Sequence, residues 1–84
     1  MTRTDKLTAR LLQRPRDFTW DELVTLLGGF DFDGDSSGGG SYRCFVSKNG
    51  EKIFLHKPHP GNIVKRYALR QVRDKLRELG LIED

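Results

Sequence analysis

The sequence predicts one small α+β domain over residues 1–84, with helices at both ends and a three-stranded antiparallel sheet covered on one face. Two segments before residue 30 have helical apolar spacing. An Asn-Gly pair joins two β-rich runs between residues 42 and 56, and an amphipathic helical segment follows. A chain of 84 residues buries about 60–65% of its unfolded surface, so a deep pocket for a large cofactor is not expected.

Charge is unevenly distributed along the chain. The net charge is +3 and the pI about 9.3, with the acids crowded into residues 17–35 and most cations in the C-terminal half. This is a modest indication of a polyanionic partner. No apolar run is long enough for a signal peptide or a membrane span, so we expect a cytoplasmic protein with no membrane partner.

The sequence gives no metal or cofactor site. The single cysteine, Cys44, has no zinc-type partners and is expected in the core, as is usual in a reducing compartment. The segment Asp33-Gly-Asp-Ser-Ser-Gly38 begins like a calcium loop. Its twelfth position is Cys44 instead of the required glutamate, and strands flank it, so calcium binding is not predicted.

The first helix is predicted to begin after Thr4 as N-cap and to end at Arg14-Pro-Arg16. Its apolar face contains Leu7, Leu11 and Leu12.

The second helix has a capping box at Thr19 and Glu22, with Phe18 and Leu23 as a hydrophobic staple. Gly28-Gly29 is expected to end it. Four apolar residues at helical spacing are predicted to form one buried stripe: Trp20, Leu23, Val24 and Leu27.

Three strands are predicted next. Residues 30–33 alternate apolar and acidic side chains, and a flexible Gly/Ser-rich loop follows over residues 34–40. Residues 42–47 and 52–56 form a hairpin around Asn49-Gly50.

A two-residue hairpin loop fixes a register in which residue 46 opposes 53 and residue 43 opposes 56. One face, interpreted as core, then carries Cys44, Val46, Ile53 and Leu55. The other face pairs Phe45 with Phe54 and Arg43 with His56. A one-residue slip would reverse this assignment.

The last helix is predicted from near Lys65 to Gly80. Its core residues are expected to be Ala68, Leu69, Val72, Leu76 and Leu79, with Leu81 and Ile82 packing after it. Four arginines fall within about 60° on the helix surface and define the arginine ridge: Arg66, Arg70, Arg73 and Arg77. The alternative is an ordinary solvated face whose arginines pair with Asp74 and Glu78.

The stretch between the hairpin and this helix is the strongest candidate site. Prolines 58 and 60 end the strand and hold His56, Lys57 and His59 in a stiff corner beside the helix. Imidazoles beside cations can bind a phosphodiester and transfer protons at neutral pH. His59 is the stronger candidate for a functional histidine, because His56 is equally consistent with an ordinary surface residue and with an RNA contact. Tyr42 could stack on a base or cap the core.

The order of elements, Gly40-Ser41 before the second strand and His59-Pro-Gly-Asn62 before a basic helix, resembles the HicA family of toxin endoribonucleases. The resemblance covers residues from about 18 to 82 and leaves the first helix as an extension. It implies a double-stranded-RNA-binding-like α-β-β-β-α fold, mRNA cleavage without a metal, and a HicB-like antitoxin. The chain would act as a monomer or within a toxin-antitoxin hetero-oligomer.

The family's usual catalytic histidine follows the Gly-Ser pair, whereas this chain has Tyr42 there. A phenol is a poor general base at neutral pH. Either catalysis has moved to His59 and His56, or the chain binds RNA or DNA without cutting it. A third possibility is a protein-interaction domain for an acidic partner. The proposed RNA contacts are Arg43, Lys57, Arg66, Arg70, Arg73 and Tyr42.

Overall fold

A computed structural model of the chain describes residues 2–35, 42–58 and 61–82. The elements in order are α1 (Arg3–Leu12), α2 (Trp20–Gly29), β1 (Phe32–Asp35), β2 (Tyr42–Ser47), β3 (Lys52–His56) and α3 (Arg66–Glu78). The strands form one antiparallel sheet in the order β1-β2-β3. The predicted α+β class and the α-β-β-β-α order after an extra helix are therefore confirmed. No helix among these residues is long and apolar enough to cross a membrane.

Helix α1 begins earlier than predicted, with Thr2 and not Thr4 as N-cap. The Thr2 hydroxyl accepts a hydrogen bond from Asp5 N at 3.1 Å, and the Asp5 carboxylate accepts one from Thr2 N at 3.3 Å. Of the two candidate caps, Thr2 has an acidic residue three positions later, whereas the residue three positions after Thr4 is Leu7. Leu7 and Leu11 are buried as expected.

Helix α2 has the predicted capping box at Thr19 and Glu22, but its buried face is rotated. Leu26 is fully buried, whereas Val24 is exposed, so the predicted stripe was wrong at Val24. Helix α1 packs against α2 so closely that a Cβ on Gly29 would overlap the Thr4 side chain. Gly29 is the last helical residue, so the predicted helix end at Gly28-Gly29 is confirmed, and Gly29 also serves this helix contact.

Strand β1 starts two residues later than predicted. Phe30 is the C-cap of α2, and Asp31 takes a positive φ of 66° that turns the chain into the strand. Phe32 is then buried opposite Ser47. Gly34 belongs to the strand and not to a loop, and its missing side chain leaves room for the Phe45 ring. The rest of the predicted loop lies in residues 36–41, outside the described part of the chain.

The β2–β3 hairpin has a three-residue loop, so the predicted register was wrong by one residue. Ser47 N donates to Glu51 O at 2.8 Å, and Gly50, at φ 88°, donates to Ser47 O at 3.0 Å. The Ser47 hydroxyl also accepts from Asn49 N and Glu51 N, which stabilises this longer loop. Gly50 in the left-handed region is typical of three-residue hairpins.

This one-residue difference between the predicted and the observed register exchanges the two faces of β2. Phe45 opposes Ile53 and is buried with it, and its ring lies 5.6 Å from that of Trp20. Cys44 is only half-buried on the outer face and opposes Phe54, which is 48% exposed. Cys44 was therefore wrongly assigned to the core, as was Val46. Burying a phenylalanine there removes more apolar surface from water than burying the cysteine would.

Helix α3 spans Arg66–Glu78, a residue later than predicted at its start, with Lys65 as N-cap. Gln71 Nε2 donates to Phe54 O at 2.9 Å and so ties the helix to β3. At its end, Gly80 takes φ 73° and Leu81 N donates to Leu76 O at 2.9 Å, which is a Schellman motif. Leu81 is left exposed, against expectation. The expected core residues Ala68, Leu69, Val72, Leu76 and Ile82 are buried, and Leu79 packs partly against them.

Candidate nucleic-acid interface

The corner after β3 is anchored on the start of α2. Trp20 N donates to Asn62 O at 2.7 Å, and Val64 N donates to Phe18 O at 2.8 Å. Between these two hydrogen bonds Thr19 and Ile63 form an isolated antiparallel bridge. The segment that leads into α3 is therefore fixed to the capped end of α2, and the rigid core positions the chain on the C-terminal side of the corner.

His56 and Lys57 lie at the exposed end of β3. The Cα of His56 pairs with that of Tyr42, the residue that follows Gly40-Ser41 in the sequence. His59, the preferred candidate for proton transfer, lies outside the described residues. The structure therefore brings His56, Lys57 and the backbone of Tyr42 to one end of the sheet.

Arg43 and His56 do not share a face of the sheet, so their predicted pairing was wrong. Arg43 pairs with Leu55, whose side chain is buried toward the helices. His56 follows Leu55 and therefore points to the opposite, outer face. The one-residue change in hairpin register separates the two side chains that the sequence placed together.

The arginine ridge of α3 lines a single open groove of about 710 Å³, which we call the arginine groove. Arg14 and Pro15, from the segment between α1 and α2, form part of its wall. Tyr67 also lines it and is 61% exposed. The remaining lining residues all belong to α3: Arg66, Leu69, Arg70, Arg73, Asp74 and Arg77.

Arg73 differs from the other members of the ridge because it is only 8% exposed. Its Nε is buried and has no hydrogen-bond partner in the described parts of the chain. A buried guanidinium costs free energy unless an anion or acceptor pairs with it. Arg73 thus adds a largely desolvated positive charge to the lining of the arginine groove.

Asp74 is the one acidic residue among those lining the arginine groove. Its carboxylate lies 3.9 Å from Arg70 Nε and 3.5 Å from Arg77 Nη1, across exposed side chains. Such exposed ion pairs are weak and screened by salt. The predicted pairing of ridge arginines with Asp74 is therefore present, yet five arginines against one aspartate leave the groove strongly cationic.

Arg10 links α1 to α2 and so holds the Arg14 wall in place. Its guanidinium contacts Asp17 at 2.6 Å and Glu22 at 2.9 Å, and it lies 5.2 Å from the centre of the Phe18 ring. The hydrogen bond from Thr19 N lowers the pKa of Glu22, and the Thr19 hydroxyl and Arg10 lower it further against the opposing effect of burial. A charged Glu22 therefore satisfies both the α2 cap and Arg10.

Arg14 and Tyr67 are the lining residues that the sequence reasoning missed. Arg14 was assigned only as part of a helix stop, and Tyr67 falls between core and ridge positions on α3. The clustering of cations at both ends of the sequence could have suggested Arg14. Its closeness to α3 depends on how α1 packs, which the sequence pattern does not give.

Within the described residues, no group of three or more His, Cys, Asp and Glu side chains is placed to hold a metal ion. Among the described residues, the corner carries the His56 imidazole and the Lys57 ammonium group, and the arginine groove carries guanidinium groups and a phenol. Such groups bind phosphate oxygens and transfer protons.

A three-stranded sheet covered by helices, with a cationic groove along the last helix, defines a small α+β domain suited to an anionic partner. The sequence model of the family described as HicA toxin of bacterial toxin-antitoxin matches residues 20–81, and the chain belongs to this family. Helix α1 and Arg14 precede the matched residues. No curated protein and no solved structure gives a significant match.

Proposed function

We propose that the chain is the toxin of a type II toxin-antitoxin system and acts by binding and cleaving messenger RNA without a metal. Membership of the HicA toxin family carries this proposal. The cationic arginine groove supports an RNA partner, because guanidinium groups bind phosphates with paired hydrogen bonds. A HicB-like antitoxin is the proposed protein partner, and the cytoplasm the proposed compartment.

Cleavage without a metal requires a base for the 2′-hydroxyl, cations for the charge on the phosphorane, and an acid for the leaving oxygen. We assign proton transfer to His59, with His56 as the second proton carrier. Lys57 beside His56, and Arg66 in the first turn of α3, are the proposed phosphate clamps at the corner. Arg43 remains a proposed RNA contact, but on the other face of the sheet from His56.

Growth arrest on induced expression tests the assignment. His59→Ala is expected to relieve the arrest, and His56→Ala to weaken it, while both variants still bind RNA. Purified protein incubated with a long single-stranded RNA in the presence of a chelator should yield shorter fragments. Intact RNA with the wild-type chain, or an undiminished arrest with His59→Ala, would remove this mechanism.

A non-catalytic RNA-binding module is the second candidate, and Tyr42 in place of the family's usual histidine favours it. In that case the wild-type chain retains RNA on a filter or gel and leaves its length unchanged. Retention should fall steeply as salt rises, because phosphate contacts release bound counterions. An acidic protein partner as the sole ligand would instead leave no measurable RNA affinity for the isolated chain.

A further inference from the structure

The arginine groove crosses the boundary of the family match. Arg14 and Pro15 precede residue 20, where the match begins, whereas the groove's other residues belong to α3. Helix α1 positions this segment through the contacts of Arg10 with Asp17 and Glu22. The N-terminal extension therefore supplies one cationic wall of a groove that the matched residues alone would leave open.

The groove's side chains are suited to a chain of anions. Five arginines line it against one aspartate, and Arg73 is nine-tenths buried with an unpartnered Nε among the described residues. The positive charge of such a largely desolvated guanidinium is screened less by salt and water than the charge of the exposed arginines. The groove is therefore more than a solvated face of an amphipathic helix.

Geometry favours a nucleic-acid strand over an acidic peptide. Arg66 and Arg77, the ends of the arginine ridge, are 11 residue steps apart on α3, which is about 16 Å along the helix axis. A row of cations at this spacing can follow successive phosphates. Tyr67 adds an exposed aromatic ring in the same groove. Base stacking on an aromatic ring beside a cationic track is typical of single-strand binding, whereas an acidic peptide has no base to stack on the ring.

We propose that the N-terminal extension and α3 form an RNA-binding track, which begins at Arg66 beside the corner and runs along the helix to Arg77. Single-stranded RNA lies in it with phosphates on the arginines, Arg14 included, and one base stacked on Tyr67. The inference rests on the proposed function for the identity of the nucleic acid. The track positions the strand, and the corner is where it would be cut.

The test is binding of a fluorescent 12-nucleotide 2′-O-methyl oligouridylate, measured by anisotropy with chelator present. This probe lacks the 2′-hydroxyl nucleophile, so its binding is independent of cleavage. Arg14→Gln should weaken binding about fivefold at 0.1 M salt and reduce the salt slope by about 0.7. Arg16→Gln is the matched control, because it removes the same charge two residues away, is exposed and does not line the groove.

Two further variants test the geometry. Tyr67→Ala should weaken binding at least about fivefold through lost stacking. Asp74→Asn should tighten binding, since it removes the carboxylate that competes for Arg70 and Arg77. Both residues are exposed, so these variants do not depend on tolerating a change at the buried Arg73.

Equal affinities for Arg14→Gln and Arg16→Gln would overturn the proposal. So would an Arg14→Gln variant that keeps oligonucleotide affinity but loses affinity for a labelled polyglutamate peptide, since the groove would then serve a protein partner. The proposed cleavage is scored separately on long RNA. If binding depends on Arg14 but no RNA is cleaved, the RNA-binding track is supported and the nuclease function is rejected. If RNA is cleaved normally but binding does not depend on Arg14, the nuclease function is supported and the track is rejected.

Discussion

The Nη1 atom of Arg10 lies 2.9 Å from both carboxylate oxygens of Glu22, the residue that also closes the capping box of α2. One carboxylate thus joins the N-terminal extension to the first helix of the matched family domain. Arg10 also stacks over the buried Phe18. The extension is fastened to the domain at the same point where α2 begins.

Arg10→Gln should therefore loosen α1. We expect the free energy of unfolding to fall by about 1–2 kcal/mol, from a lost ion pair and a lost cation–π contact. Arg3→Gln, on the same helix and exposed, removes the same charge and should change stability by less than about 0.5 kcal/mol. Urea unfolding measures both, and equal effects would show that Arg10 does not link the two helices.

The lowered pKa of Glu22 predicts a pH dependence of stability. A carboxyl whose folded pKa lies below its unfolded value stabilises the fold above the unfolded pKa, and this contribution is lost as pH falls through the folded pKa. The stability gap between wild type and Glu22→Gln should thus be full at pH 7 and shrink below the ordinary value of 4.5. Urea midpoints at pH 7 and pH 3 test this. A gap of the same size at both would contradict it.

The two glycines at the end of α2 should respond in opposite ways to alanine. Gly28→Ala has open space around the new Cβ and should stabilise the helix by about 0.5–1 kcal/mol. Gly29→Ala would collide with Thr4 and should destabilise by about 1–3 kcal/mol as α1 is displaced. Thermal unfolding of the two variants checks the helix contact, which would be refuted if Gly29→Ala were as stable as Gly28→Ala.

Phenylalanines 45 and 54 report on the hairpin register. Phe45→Ala should cost about 3–5 kcal/mol, since the buried ring packs on Trp20, and this could unfold so small a domain. Phe54→Ala should cost less than about 1 kcal/mol, because that side chain is half exposed on the outer face. In the two-residue-loop register both rings would share one face, so similar losses of stability would favour that register over the three-residue loop.

Local sequence signals predict much of the fold. The Thr19–Glu22 capping box, the limits of β2 and β3, and the buried residues of α3 through Leu76 follow from capping, β-propensity and helical periodicity. These signals depend on neighbours a few residues apart, so the sequence determined them by itself. The arginine ridge was equally predictable, because 100° per residue fixes which side chains of one helix align.

Only the tertiary structure decided the strand register and the way the helices pack. The observed register buries Phe45 in place of Cys44 and Val46 and separates Arg43 from His56, and the Ser47 hydroxyl and Gly50 accommodate the three-residue loop that this register needs. In the folded chain Val24 is exposed, Leu26 is buried, and Arg14 lies at the arginine groove beside α3. Such outcomes depend on competition between whole faces for burial, since the side that excludes more apolar surface from water prevails, and no local pattern records that competition.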